Sequence, residues 1–278
     1  MVERRQLGGS EQETALILFL FLSHLGLGIV FTLVFVSREA GVKFFRFNMG
    51  LAAVLIACAF ALRPVDEGGA SARIAVYALA VAEMAIVAYW TTVGRRLAGI
   101  RPAIVGTACI AGVVALVAQA VDVASGRPLT TQGLTIASFL SSAVFLGGAC
   151  TAMILGHWYL VIPSMPVTHL QAIVKLHMAS MVVRVAVVGA AVFFAIATWQ
   201  PGLGPSFRHY ILSVSGVFFW QRVLFGLASP ALLSYLIWET AKIRSTQSAT
   251  GILYVDFFTV VVGEVLAKYL LLATRVPV

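Results

Sequence analysis

Charge is what this sequence has least of: Asp, Glu, Lys and Arg together make up 11% of its 278 residues, against about 25% in soluble proteins. Too little polarity is present to keep a disordered chain solvated. Apolar runs recur from residue 15 to residue 274 and no loop exceeds about a dozen residues, which excludes a large water-soluble catalytic domain. Cysteine is scarce as well. Cys58, Cys109 and Cys150 all fall inside apolar runs with no C-x-x-C pair, which argues against a disulfide frame or a zinc site. The chain has no G-x-x-x-x-G-K-[ST] loop, no H-E-x-x-H, no G-x-S-x-G and no D-x-x-x-D pair, so the common phosphate, zinc-hydrolase, serine-hydrolase and metal–diphosphate signatures are all missing. Despite 24 glycines, G-x-x-x-G is missing too, and that motif gives no guide to helix pairing.

What is present is 60% apolar residue content, gathered into runs long enough to cross ~30 Å of hydrocarbon at 1.5 Å per residue. Eight such spans are expected, at about 15–37, 44–62, 73–94, 102–122, 132–161, 167–199, 207–241 and 250–274. The fold class is therefore an all-α integral membrane protein, a bundle of about eight transmembrane helices. A polar tail covers residues 1–14, spans 1–4 cover 15–122, and spans 5–8 cover 132–274. The first run is longer than a signal-peptide h-region and lacks a small-x-small cleavage site, so it is expected to be retained. Span 2 stops at Arg63-Pro64, where proline disfavours continuation. Tyr89, Trp90, Trp158, Tyr159, Trp199, Tyr210, Trp238 and Tyr254 sit near span ends, as an interfacial belt requires.

The net charge of +8 fits anionic lipid headgroups better than nucleic acid in such a chain. Loop Lys and Arg divide eight against seven between the two sides, and the expectation is a bacterial inner-membrane protein with both termini outside. Spans 5–7 reach about 30–35 residues, or ~45–50 Å, an excess that tilt and Pro230 absorb in part. The run 245–251 reads as a polar connector. No internal repeat is evident: the first four spans hold few ionisable groups and the last four hold many.

Charges and imidazoles inside a bilayer are costly, so each is a candidate. Span 6 carries the most ordered set. His169, His177 and Arg184 fall within a sector of roughly 80°, with Lys175 on the opposite side. Imidazole ligands and a cation for propionates are what a b-type haem needs; interfacial and helix-packing roles account for the same residues equally well. If neighbouring spans turn at Pro163–Pro166, His177 and His24 reach similar depths, a better match than His157 with His169. His157 also suits an interfacial aromatic cluster. A turn at Pro201–Pro205 puts Arg184 and Arg222 at one depth, with Glu264, haem propionates or an anionic substrate as the charge between them. Asp256, Glu264 and Lys268 share a face of span 8, and Glu239 is expected near Asp256. These acids are candidates for a proton path, for a proton-coupled transporter, or for plain helix–helix contacts.

The imidazoles in spans, arginines at matching depth and nearby acids over residues 132–275 resemble the multi-span haem b or quinone-reactive membrane subunits of respiratory electron-transfer complexes. That resemblance implies a subunit exchanging electrons between the quinone pool and a peripheral redox partner, with or without catalysis of its own. It would hold one or two haems b, a quinone such as menaquinone, or both. His177 would be the first haem-iron ligand and His24 its partner, with His157 and His169 behind them. Arg184 and Arg222 would lie near propionates, and Asp256, Glu264 and Glu239 would move protons. Its partners would be the lipid bilayer, quinone and other subunits, with no nucleic acid. Two alternatives stand beside it: a proton-coupled secondary transporter or ion conduit, and a structural anchor without cofactor. The missing repeat and the lack of a broken helix pair weigh against the transporter.

Overall fold

A computed structural model describes residues 2–63, 69–94, 98–162, 166–200 and 206–278. The Pro64 stop, Arg95-Arg96, the first three residues of the Pro163–Pro166 turn and the whole Pro201–Pro205 turn lie outside the described residues. Eight helices are long and apolar enough to cross a membrane. We number them helix 1 (Val2–Leu33), helix 2 (Gly41–Ala61), helix 3 (Ala70–Thr92), helix 4 (Arg101–Val123), helix 5 (Leu129–Val161), helix 6 (Thr168–Ala197), helix 7 (Val214–Lys242) and helix 8 (Thr246–Thr274). Helical structure is what lipid demands, since every backbone N–H and C=O must be bonded within its own segment.

Element ends follow local chemistry. Ser37 caps a short turn at Arg38–Ala40 by accepting from the Glu39 N–H at 3.3 Å. Pro102 occupies the first turn of helix 4, where its missing N–H costs nothing. Helix 1 is continuous from Val2, and the stretch of it apolar enough to cross a membrane begins at Glu11. Two expectations need correction. Residues 246–251 are not a connector but the first turns of helix 8, because Thr250 Oγ1 donates to the carbonyls of Thr246 (2.7 Å) and Gly156 (2.9 Å). Span 7 is not one rod. A separate short helix, Phe207–Leu212, precedes it, and the span itself passes through a π turn at Leu224–Ala228. Pro230 has no N–H to donate one turn back, to the Gly226 carbonyl, and widening of the preceding turn accommodates this.

The neighbour pattern corrects a third expectation. Helix 1 packs on 2, 2 on 3, 3 on 4, and 4 back on 1; helices 5, 6, 7 and 8 pack in the same cyclic order. The two rings meet through helices 1 and 5, flanked by 4 against 5 and 8 against 1. Helices 1 and 5 are accordingly the most buried. Across their contact, residues 119 apart touch their own counterparts: Thr32 Oγ1 lies 2.8 Å from Thr151 Oγ1, and Gly28 and Gly147 meet backbone to backbone. A Cβ on Gly147 would lie 2.0 Å from the Gly28 carbonyl carbon. Self-matched contacts of this kind mark a twofold relation. With four spans in each unit, its axis runs along the membrane normal. The repeat escaped notice in the sequence because it is carried by Ser23/Ser142, Gly28/Gly147 and Thr32/Thr151 and not by the ionisable residues.

Candidate functional site

In the second ring, helices 6 and 8 face each other across the interior, and polar side chains bridge them. Glu264, fully buried on helix 8, is the hub. Its Oε1 accepts from Arg184 Nε (2.8 Å) and Arg222 Nη2 (2.9 Å). Its Oε2 accepts from Arg184 Nη2 (3.1 Å), Lys268 Nζ (3.2 Å) and Ser142 Oγ (2.5 Å). Arg184 Nη1 donates to Ser138 Oγ at 2.8 Å. Ser142 also accepts from Lys268 Nζ at 2.5 Å, and its Oγ lies 3.3 Å from His24 Nδ1. Four helices of the second ring and helix 1 of the first thus supply one network.

Charge is not balanced within it. Three cations, Arg184, Arg222 and Lys268, surround one carboxylate. Counting Asp256 as a second anion leaves one positive charge in excess while the imidazoles are neutral. Arg222 is fully buried, yet its Nε and Nη1 bond to nothing. Its guanidinium fits only because Gly226 and Gly263 pack without side chains: a Cβ on Gly226 would lie 1.8 Å from Nη1.

About two turns along helix 8 from Glu264, Asp256 Oδ2 lies 2.9 Å from His177 Nε2, both groups buried. The atoms are close but off the line a hydrogen bond requires, and both carboxylate oxygens and both ring nitrogens lack a bonding partner. The His177 ring stacks on Phe145 at 5.2 Å and 2°, with Gly148 beside Nδ1. Asp256, Glu264 and Lys268 form a polar column rising ~18 Å along one helix.

The expected histidine pairs do not form. His24 sits against Ser142 and Phe139 and His177 against Phe145 and Asp256, on different stretches of helix 5. His157 Nδ1 lies 3.0 Å from the Tyr254 hydroxyl, and His169 Nε2 lies 2.6 Å from Glu39 Oε2, both at one end of the bundle. Glu239 is not near Asp256; it is about half exposed and paired with Lys242 at 2.6 Å. Lys175 lies over the Trp238 ring. The sequence reading missed Ser138 and Ser142, whose hydroxyls look like ordinary helix-packing residues until their partners are known.

His177 is covered on one face by Phe145 and has Asp256 beside Nε2, while its Nδ1 and the Nε2 of His24 are buried without a hydrogen-bond partner. Among the described residues, no three His, Cys, Asp or Glu side chains gather as metal ligands. A cavity of about 570 Å³ does exist between helices 1–4, lined by Arg38, Tyr89, Arg101 and apolar side chains. Another of about 220 Å³ lies at the opposite end, beside Arg127, Thr131, Thr274 and Arg275. There burial and the neighbouring Arg275 pull the Arg127 guanidinium below its usual range. Histidine lines neither cavity. Neither a known protein family nor a curated protein matches this sequence.

Proposed function

We propose that the protein is a proton-coupled secondary transporter of a bacterial cytoplasmic membrane. The observation that carries this reading is the buried column on helix 8, in which Asp256 and Glu264 face His177, Arg184, Arg222 and Lys268 at mid-membrane depth. Intramembrane ionisable groups of this density mark ion and proton pathways. Two further features support it. Paired four-helix units about an axis along the membrane normal are an architecture of secondary carriers, in which one unit rocks against the other. The π turn at Leu224–Ala228, beside Arg222, is the kind of helix irregularity that gathers at functional sites.

The residues have separable roles. Asp256 and His177, close but not hydrogen-bonded, are poised to exchange a proton once the side chains turn by a small angle. Glu264 is the counter-charge that holds helices 5–8 together, and releasing it loosens the ring. His24 couples the second ring to helix 1 through Ser142. Purified protein in liposomes carrying an internal pH dye tests the reading. An imposed membrane potential or solute gradient should move protons, and Asp256→Asn should slow that movement about a hundredfold or more, the lower range for loss of a positioned acid–base group. Proton movement unchanged by both Asp256→Asn and Glu264→Gln would remove the transporter reading.

A second reading, a quinone-reactive subunit of an electron-transfer complex, is favoured by one observation: His24 Nε2 and His177 Nδ1 are buried and unbonded, and such groups can hydrogen-bond quinone carbonyls. Binding of a quinone analogue that is lost in His177→Ala, or a b-type band in a reduced-minus-oxidised spectrum, would favour it over the transporter.

A further inference from the structure

The excess positive charge around Glu264 identifies what is carried. We propose that Arg184, Arg222 and Lys268 form the binding site of a small monovalent anion, which takes the place of the Glu264 carboxylate when that group is protonated. The inference rests on the transporter reading and names its substrate class.

Three cations converge on a single carboxylate, and its five accepted hydrogen bonds saturate both oxygens. A proton can add to Glu264 only if a donor withdraws. The neutral acid then leaves two guanidiniums and an ammonium without a counter-charge in a low-dielectric interior, a state of very high energy. An anion restores the balance. One proton on Glu264 and one anion among the cations leave the net charge of the site where it began, three positive against one negative. Proton and anion therefore each favour the binding of the other by the same factor.

Arg222 supplies the vacancy for this exchange. Its Nε and Nη1 are fully buried donors with no partner, while Nη2 alone holds Glu264. The guanidinium lies against the bare backbone of Gly226 and Gly263, next to the π turn, with no room for a further carbon at either glycine, so the space open to an anion is that of the displaced carboxylate. That favours an ion of nitrate or chloride size over a bulky one. The groups facing Glu264 from every packed element are Ser138 and Ser142 on helix 5, Arg184 on helix 6, Arg222 on helix 7 and Lys268 on helix 8. His24 on helix 1 reaches it through Ser142, and Asp256 with His177 lies toward one end. Among the described residues Asp256 is the other carboxylate of the cluster, and its neighbour is His177 rather than the cations.

The test uses the full chain in liposomes with an internal pH dye and potassium nitrate as the probe. An inward nitrate gradient should acidify the lumen, a gluconate gradient should not, and clamping the potential with valinomycin should leave the rate unchanged. Glu264→Gln, which mimics the protonated acid in shape and charge, should bind nitrate without pH dependence and lose the acidification. Arg222→Gln should weaken nitrate binding about tenfold or more, as loss of a charged hydrogen-bond donor does. Helical circular dichroism and a single elution peak establish that each variant is folded. Proton movement that follows the membrane potential equally in nitrate, chloride and gluconate would overturn the anion site and leave proton coupling standing. Absence of proton movement under any gradient, from folded wild-type protein, would overturn both.

Discussion

The two four-helix units share a packing plan and differ in what it encloses. In the first, Gln119 on helix 4 reaches toward Ser23 on helix 1, Nε2 to Oγ at 3.5 Å. In the second, Glu264 on helix 8 meets Ser142 on helix 5 at 2.5 Å, and Ser142 follows Ser23 by the same 119 residues that separate Thr32 from Thr151. A neutral amide thus stands in one unit where a carboxylate with three cations stands in the other. The contrast separates architecture from chemistry. Small residues at the helix 1–helix 5 crossing build the frame, since close van der Waals approach is what joins helices in lipid. In the proposed reading, the charges held in the second copy of that frame give it a task. The first ring still contains Glu83, with a buried Oε2 that bonds to nothing, but among the described residues it has no counterpart of the cation cluster.

The comparison can be broken most forcefully at its hub. Glu264→Ala strands Arg184, Arg222 and Lys268 together, and it should cost about 3–5 kcal/mol of stability, measured by denaturant unfolding in detergent. Glu264→Gln should be much better tolerated, which separates charge from shape. The shared frame comes next. Gly147→Leu must push helix 1 off helix 5 and should cost about 3 kcal/mol, with proton movement falling in parallel. Gln119→Leu should cost less than about 1 kcal/mol and leave proton movement unchanged, because the first unit's amide has no ionic role. Smallest of all, Glu239→Ala removes only an exposed pair with Lys242 and should change stability by less than about 0.5 kcal/mol, with transport intact. A large transport defect in Gln119→Leu would erase the functional distinction between the units.

Much of this was readable in the residues. Apolar run length placed all eight helices, and helical depth arithmetic brought Arg184 and Arg222 to one level with Glu264 among the candidate charges between them; the structure joins all three. The same arithmetic did not anticipate the neighbours of three other residues: His24 lies against Phe139 and Ser142, His177 lies against Phe145, more than a turn past Phe139 on helix 5, and Glu239 turns outward to Lys242. The π turn is a tertiary accommodation of Pro230, which sequence marks as a kink without giving its form. The repeat is hard to read in the sequence because it shows in scattered small residues, Ser23/Ser142, Gly28/Gly147 and Thr32/Thr151, at the central crossing.

The central claim is that Glu264 changes protonation inside the membrane while its counterpart position in the first unit does nothing comparable. Infrared difference spectroscopy of the full protein between alkaline and acidic buffer in the presence of nitrate tests it most directly. The account predicts a protonated-carboxyl stretching band in wild type that disappears in Glu264→Gln and persists in Gln119→Leu. A spectrum in which that band is unaffected by Glu264→Gln would contradict it.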